Sequence, residues 1–386
     1  MKFGINLFPT VAPDEKSAAT WYEEAIELAV LAEELGFAHV KTVEHYFFPW
    51  GGYSPDPVTL LAAIAGRTSR IRLVTGAVIP AFTHPVQLAG KLAMLDNISH
   101  GRLDAGFGRA FLPDEFEAFN VPIDSSRERF DQGVEAVRRL WSEEDVVVDT
   151  SLFQFGPVTL LPRPFQRPHP PILVAAARSP ESCAAAGAAG YGLLLVPSVA
   201  RRERVQEMLG GYRAARATAG FSSADEHVQM SFSVHLDDVD GERARDFGRA
   251  DSANNTRKLA DAVAAWGRTR SDQYPGYDSV VRQVASTTYE ESLRANNVLA
   301  GTPDQVREQL ETLRSWYGDV TVSLQINSGS TPIEESRRTL RLFAERLLTE
   351  LSAPGSSTPG STATEPSASA SAEAADLERS AVGVES

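Results

Sequence analysis

The chain has 386 residues, of which 42% are hydrophobic and 23% are charged, as in an ordinary globular protein. A formal net charge of −14 with no continuous stripe of lysine and arginine argues against a nucleic-acid partner, and no apolar run approaches the roughly 20 residues that span a membrane. The single cysteine, Cys183, excludes both an internal disulfide framework and a zinc site built on a Cys-x-x-Cys motif. We therefore expect a cytoplasmic protein with no metal, no membrane segment and no nucleic-acid partner.

Short β-type runs alternate with longer helical patterns along most of the chain. The predicted strands cover residues 2–8, 39–43, 71–79, 102–107, 172–175, 192–196, 228–236 and 320–326. The predicted helices cover residues 18–35, 57–68, 85–98, 127–141, 180–189, 201–217 and 332–351, with one more after residue 236. Eight strands, most of them followed by a helix, fit a (β/α)8 barrel (TIM barrel) of the α/β class better than an open sheet.

Two stretches fall outside this alternation. Residues 145–170 contain two β-like runs and five prolines, which predicts a surface insertion rather than a unit of the barrel. Residues 352–386 are rich in Ser, Ala, Pro and Glu and have almost no large apolar side chain, so burial cannot offset their ordering entropy. We predict a barrel domain over residues 1–351 and a disordered tail over residues 352–386.

The active site of such a barrel lies at the C-terminal ends of its strands. The second predicted strand ends in a polar pair and four aromatic residues, namely Glu44, His45, Tyr46, Phe47, Phe48 and Trp50. Because these residues are almost consecutive rather than spaced by three and four, several of them must face a cavity. An imidazole beside a carboxylate in an aromatic pocket can transfer protons near neutral pH. A histidine that only caps a loop is the alternative.

The following strand ends carry groups suited to a flat, phosphorylated ligand. Gly76 and Ala77 lie in the last part of the third predicted strand, where small residues let a flat ligand lie on the backbone. Arg109 leaves a glycine-flanked turn after the fourth strand, where it can meet a phosphate or form a surface ion pair. Ser179 and Pro180 open a helix after the fifth strand, and that N-terminus suits a bound anion or an ordinary cap.

The glycine-rich segment around Arg109 is not a dinucleotide-binding fingerprint. Phe111 occupies the place of the third glycine of GxGxxG, and the strand before the segment does not begin a Rossmann unit. We therefore expect no dedicated NAD(P)H site.

Several motifs, taken together and in order over about residues 1–350, resemble the bacterial luciferase-like flavin-dependent monooxygenases. They are MKFGINLF at the N-terminus, EHYF at 44–47, THPV at 83–86, LAMLDNISHGRLDAGFGR at 92–109 and the turn ahead of Ser179. The phrases VKTVEHYFF, GGYSPDPVT and GRAFLPDEFEAF most resemble members associated with polyketide and nonribosomal peptide biosynthesis. The resemblance implies that residues 1–351 form a luciferase-like TIM barrel that binds reduced FMN.

The resemblance also implies which residues form the site. The family's catalytic histidine falls on His45, and the carboxylate of Glu44 stands next to it in the motif. The non-proline cis peptide beneath the flavin ring falls on Gly76 and Ala77. The residues that meet the cofactor's phosphate fall on Arg109 and on a turn made of Ala176, Ala177, Arg178 and Ser179.

Three positions depart from luciferase itself. It carries a cysteine where this chain has Gly108, and a glutamate and a threonine where this chain has Ala176 and Pro180. The first difference argues against light emission with a long-chain aldehyde. The other two leave phosphate binding to backbone N–H groups, Ser179 and Arg178.

The implied reaction is that of reduced FMN with O2, which gives a flavin C4a-hydroperoxide and places one oxygen atom on an organic substrate, either a small molecule or carrier-bound. Survival of the hydroperoxide requires a dry cavity. We expect an aromatic wall to line the substrate pocket and exclude water, made of Phe8, Tyr46, Phe47, Phe48 and Trp50. The sequence leaves hydroxylation, epoxidation and Baeyer–Villiger oxidation open.

The same resemblance implies partners and leaves two alternatives. Since no Rossmann unit is visible, we expect a separate flavin reductase to supply reduced FMN, and we expect a homodimer. Residues 267–277 are similar in place to the family's mobile lid, although a solvated loop would also explain them. An F420-dependent oxidoreductase of the same fold and a non-catalytic flavin-binding relative are the alternatives. The EHYF motif favours FMN over the first, and His45 with Arg109 counts against the second.

Overall fold

Eleven strands occur in the part of the chain that this computed structural model describes, which is residues 1–277, 287–326, 329 and 331–352. In chain order they are β1 (Lys2–Leu7), β2 (His39–Thr42), β3 (Arg72–Thr75), β4 (Leu103–Phe107), β5 (Val146–Asp149), β6 (Gln154–Val158), β7 (Ile172–Ala175), β8 (Gly192–Leu195), β9 (Val228–Leu236), β10 (Val298–Gly301) and β11 (Thr321–Gln325). Eight of them pair in parallel in the order β1-β2-β3-β4-β7-β8-β9-β11, and β11 pairs with β1 to close the ring. The predicted TIM barrel is confirmed.

Helices pack around this barrel and connect its strands. They are α1 (Ala18–Glu34), α2 (Pro57–Ala65), α3 (Pro85–Ile98), α4 (Pro113–Ala118), α5 (Ser126–Ser142), α6 (Pro180–Ala188), α7 (Arg202–Thr218), α8 (Glu242–Val263), α9 (Tyr289–Arg294), α10 (Pro303–Tyr317), α11 (Ile333–Phe343) and α12 (Thr349–Ser352). A π-helical turn, Ala344–Leu348, joins the last two. Several begin with proline behind a capping side chain, as at Asp56 and Thr302, because proline's missing N–H costs nothing in the first turn.

The surface insertion after α5 is a two-stranded antiparallel sheet. Strand β5 pairs with β6 in this sheet, outside the barrel order. Alternate residues of β5 are buried and exposed, as expected for a strand with one face against the protein. The prediction of two β-like runs outside the barrel is therefore correct.

A ninth parallel strand and the long helix after it were not predicted. Strand β10 pairs with the second half of β9, with Val298 opposite Ser233 and Gly301 opposite Leu236, while the first half of β9 pairs with β11. Four apolar residues cannot be assigned to strand or helix by periodicity alone. The helix α10 did carry a signal, because Thr302 and Gln305 form a capping box.

The barrel interior is apolar on one side and polar on the other. Val74, Leu173 and Leu194 form a small apolar cluster between β3, β7 and β8. On the β1, β2, β9 and β11 side, the buried His39 ring lies 2.7 Å from the Ser323 hydroxyl, and Lys41 extends to Ser231. Gly4 is required beside His39, since a Cβ at Gly4 would overlap the imidazole.

No helix in the described residues is both long and apolar enough to cross a membrane. The predicted tail, apart from Ser352, lies outside the described residues.

Candidate active site

The loops at the C-terminal ends of β2, β3, β4 and β7 bring together the residues predicted for a site. His45 follows β2, the Gly76–Ala77 peptide follows β3, Arg109 follows β4, and the turn 176–179 follows β7. These strands are neighbours in the barrel, so their ends lie side by side along one part of its mouth. The predicted residues therefore share one end of one sheet.

His45 is buried and held by a carboxylate. Its Nδ1 lies 3.1 Å from Oε1 of Glu115, and the same oxygen accepts a hydrogen bond of 2.9 Å from the Tyr46 N–H. Glu115 lies on α4 and is 0% exposed, and its Oε2 has no hydrogen-bond partner among the described residues. A buried acceptor at Nδ1 fixes the ring's orientation and leaves Nε2 for a ligand.

Three aromatic rings enclose the His45 imidazole. The ring centroids of Trp50, Phe111 and Phe8 lie 4.8, 5.8 and 6.0 Å from it. Gly51, with φ of 86°, packs against the other side, where a Cβ would lie 2.6 Å from the His45 Cβ. Apolar walls of this kind exclude water from the space around the imidazole.

Glu44 does not supply the carboxylate beside His45. Its Oε1 accepts a hydrogen bond of 2.8 Å from the Tyr46 hydroxyl, and its Oε2 accepts one of 3.0 Å from the Ile79 N–H. Burial raises the pKa of Glu44 to about 8, against the opposing effect of these two donors. Glu44 thus ties the loop after β3 to the end of β2, and Glu115 occupies the place next to the imidazole.

The raised pKa of Glu44 predicts a pH-dependent stability. The pKa of the Glu44 carboxyl is about 8 in the folded chain, whereas its ordinary value, expected in the unfolded chain, is 4.5. Between these two pH values the unfolded chain loses the proton more readily than the folded chain, so the native state becomes less stable as the pH rises. We expect the unfolding free energy of the wild type to fall by about 2 to 4 kcal/mol relative to Glu44→Gln between pH 5 and pH 8. Denaturant unfolding of both proteins at several pH values measures this difference, and parallel pH curves would refute it.

Small residues form a flat floor at the ends of β3, β4 and β7. The Gly76–Ala77 peptide is cis. A Cβ at Gly108 would lie 3.1 Å from the Ala77 Cβ and 3.7 Å from the Ala175 Cβ, so the three backbones approach closely there. A Cβ at Gly76 would overlap the aliphatic part of the Lys41 side chain, which packs against this glycine from inside the barrel. A planar ring system can lie on such a floor in contact with backbone.

Arg109 lies under the segment after α8. Its Nη2 donates a hydrogen bond of 2.9 Å to the Gln273 carbonyl, and its guanidinium lies 4.3 Å from the centroid of the Tyr274 ring. Its Nη1 is buried and has no hydrogen-bond partner among the described residues. Both Arg109 and Arg178 lower the pKa of the Tyr277 phenol, which burial raises, so the two guanidiniums flank one region.

The turn before α6 is a capped helix start. The Ser179 hydroxyl accepts a hydrogen bond of 3.1 Å from the Ser182 N–H and donates one of 2.9 Å to Glu181. Ala176 is buried and its N–H is bonded to the Leu194 carbonyl, while Ala177 is exposed. Ser179 is therefore the N-cap of α6 in this structure, and the exposed part of the turn begins at Ala177.

The predicted aromatic wall is divided by the structure. Phe8 and Trp50 contact the imidazole, and Phe48 packs in the apolar cluster above the barrel mouth. The ring of Tyr46 turns toward Glu44, and Phe47 is 63% exposed with φ of 68°, so Phe47 lies on the rim. The ring that completes the wall in place of Phe47 is Phe111, which sequence reasoning missed.

Residues 267–277 lie over the barrel mouth. The Tyr274 hydroxyl donates to the Ala110 carbonyl, Ser271 donates to Asp124, and Arg268 pairs with Asp114 at 2.9 Å. Tyr274 is buried, which a solvated loop does not explain. The aromatic spacing of Trp266, Tyr274 and Tyr277 was the available signal for a packed segment.

These observations fit FMN. The small-residue floor has the shape to hold a flat ring, and the buried Nη1 of Arg109, with Arg178 nearby, is free to donate a hydrogen bond to a phosphate. The N-terminus of α6 adds the positive end of a helix dipole. His45 lies at the end of β2, the strand next to β3, which carries the Gly76–Ala77 part of this floor.

Comparisons with known proteins agree with this geometry. A family model described as luciferase-like monooxygenase matches residues 1–319. The chain is 28% identical over 359 residues to the oxygenase component of a flavin-dependent trigonelline monooxygenase from Acinetobacter baylyi, covering 91% of this chain and 94% of that protein. It is 28% identical over 275 residues to a 4-hydroxyprotoasukamycin monooxygenase from Streptomyces nodosus, covering 71% of each protein. It is similar to the crystal structure of monooxygenase RslO1 from Streptomyces bottropensis with 56% identity and a TM-score of 0.82, covering 91% of this chain and 100% of RslO1.

Proposed function

The chain belongs to the luciferase-like monooxygenase family, and from that premise we propose that it is the oxygenase component of a two-component enzyme that uses reduced FMN and O2. The product is an organic compound that carries one atom of O2. The observation that carries the proposal is the buried His45–Glu115 pair at the barrel mouth, beside a small-residue floor and Arg109.

Each group has a definable task. Bound reduced FMN supplies the electrons that activate O2. Arg109 binds the phosphate, and Gly76, Ala77 and Gly108 leave room for the ring. His45 donates or accepts a proton at Nε2 while Glu115 holds Nδ1, which is the usual arrangement of an oriented acid–base histidine. Phe8, Trp50 and Phe111 exclude water around the imidazole.

A role in natural-product biosynthesis is the finer part of the proposal. It draws support from the similarity to the 4-hydroxyprotoasukamycin monooxygenase. The aromatic residues at the barrel mouth favour an apolar organic substrate, small or carrier-bound. We further propose a homodimer, which light scattering on the purified protein checks.

Electron supply gives the experiment that tests the function. Purified protein with FMN should oxidise NADH or NADPH only slowly. Adding an unrelated flavin reductase should start the oxygen-dependent conversion of a compound in a cell extract that contains biosynthetic intermediates, and the product should carry 18O from 18O2. Diffusion of free reduced FMN suffices, so no complex with the reductase should form. Fast NAD(P)H oxidation by the purified chain alone, at the rate of product formation, would contradict the two-component proposal.

Glu115 offers a test of the histidine's orientation. Glu115→Gln keeps an acceptor for the Tyr46 N–H but removes the charge beside Nδ1. We expect turnover to fall by about 10- to 10²-fold with unchanged FMN affinity, because a misplaced proton donor costs that much. Glu117→Gln, two residues away on the exposed side of α4, is the matched control. Equal turnover of the wild type, Glu115→Gln and Glu117→Gln would exclude Glu115 from the mechanism.

A further inference from the structure

Two lysines are buried in the described part of the chain, and their surroundings differ. Lys258 is 1% exposed, and its Nζ pairs with the Glu15 carboxylate and donates a hydrogen bond of 3.0 Å to the Thr10 carbonyl. Lys41 is 3% exposed, and its Nζ bonds to the Ser231 hydroxyl at 2.7 Å. Lys41 forms no ion pair with a carboxylate within the residues described. A charged amine that is buried without a counter-charge is costly, so Lys41 is favoured in its ammonium form only when an anion is brought close to it.

Lys41 lies directly below the floor of the candidate active site. It starts on β2, three residues before Glu44, and its side chain crosses the barrel interior to β9, where it meets Ser231. On the way, its Cγ and Cδ fill the space that a Cβ of Gly76 would need. The amine therefore lies beneath the ring that the Gly76–Ala77 floor would carry, and it is shielded from solvent.

Among the residues that the structure describes, the groups around Lys41 bring no unpaired negative charge. On its own strand lies His39, whose pKa burial lowers, so its ring is neutral. Near His39 lie Arg72, which is paired with Asp104 at 2.6 Å, and His227, whose pKa burial also lowers. The other neighbours on β1, β9 and β11 are uncharged, namely Asn6, Ser231, Ser323 and Gln325. Burial accordingly lowers the pKa of Lys41 to about 7.

We propose that Lys41 is the counter-charge for reduced FMN, so that binding of the reduced cofactor is coupled to protonation of the Lys41 amine. The inference rests on the proposed function. The ring of reduced FMN is an anion in neutral to alkaline solution, whereas the oxidised ring is uncharged. An anion on the Gly76–Ala77 floor would stabilise the ammonium form below it. The site would thereby capture reduced FMN from a mixture that also contains oxidised FMN.

The experiment measures binding and proton uptake together. Anaerobic titrations with oxidised and with reduced FMN are run at pH 8, because the pKa of Lys41 in the flavin-free protein is about 7 and its amine is then mostly neutral before binding. We expect the wild type to bind reduced FMN with uptake of close to one proton, followed with an indicator dye. Lys41→Met should lose that uptake and bind reduced FMN at least about tenfold more weakly, about 1.4 kcal/mol. Its affinity for oxidised FMN should change by less than about twofold.

Two further variants keep the test decisive. Lys258→Met removes a buried lysine elsewhere and should alter neither the proton uptake nor the ratio of the two affinities. Ser231→Asp gives Lys41 a permanent carboxylate partner, so proton uptake should disappear although the lysine remains. This variant provides the test if Lys41→Met does not fold.

The inference is overturned if Lys41→Met weakens both forms of FMN equally, since that result indicates a packing role alone. It is also overturned if Lys41→Met or Ser231→Asp takes up the same proton as the wild type, because the proton would then belong to another group. Failure of the wild type to bind FMN in either form has a different meaning, since that result refutes the proposed function itself.

Discussion

Replacement of His45 by alanine is expected to lower turnover by about 10²-fold or more and to change FMN affinity by less than about tenfold. The imidazole is the titratable group that the structure holds at the end of β2 between a buried carboxylate and three rings. The floor for the flavin ring and the groups for its phosphate belong to other strands. Loss of the His45 imidazole should therefore remove a proton-transfer group and leave the flavin-binding site in place.

Steady-state rates with a reductase and flavin titrations separate these two effects. His84→Asn is the matched control, because His84 is an exposed histidine that caps α3 and asparagine can cap it as well. Unchanged turnover in His45→Ala would exclude His45 from the chemistry. A loss of FMN binding as large as the loss of turnover would place it in the cofactor site instead.

Arg109→Ala should weaken binding of reduced FMN by about 1.5 to 3 kcal/mol, the range for a hydrogen bond to a charged group. The guanidinium has one buried nitrogen with no partner among the described residues, which the phosphate can occupy. Riboflavin lacks the phosphate, so its affinity should fall much less. This comparison matters because the substitution also removes the contacts of Arg109 with Gln273 and Tyr274.

Titration of both flavins by wild type and variant gives the four affinities needed. Arg138→Ala, which removes a surface arginine paired with Glu135, serves as the control and should change none of them. Equal losses for FMN and riboflavin would mean that Arg109 only supports the segment above it and does not bind the phosphate.

The barrel could be predicted because its units repeat a strong local pattern. Strands such as Ile172–Ala175 and Val228–Leu236 are apolar β-type runs between turn residues, and the structure reproduces their predicted bounds. Strand β3 is shorter than predicted, because the chain leaves the sheet at Thr75 and the next residues form the floor of the site. Strand β10 was missed because its four residues carry no periodicity.

The candidate site could be predicted only in part, since some partners are distant in sequence. His45 and Arg109 stand at strand ends, where the fold itself directs attention. Glu115 is 70 residues from His45 and lies on a six-residue helix, so nothing local identifies it as the partner. Lys41 lies inside a short buried strand, and only the barrel geometry shows that it reaches Ser231 across the interior.

The most direct test of the account is an anaerobic titration of the purified chain with reduced FMN and, in parallel, with reduced F420. We expect saturable binding of one reduced FMN per chain, weakened in Arg109→Ala, and rapid oxidation of that flavin once O2 is admitted. We expect no saturable binding of F420. Tight binding of F420 with no binding of reduced FMN would contradict the account, and would make this chain a hydride-transfer enzyme in which O2 has no part.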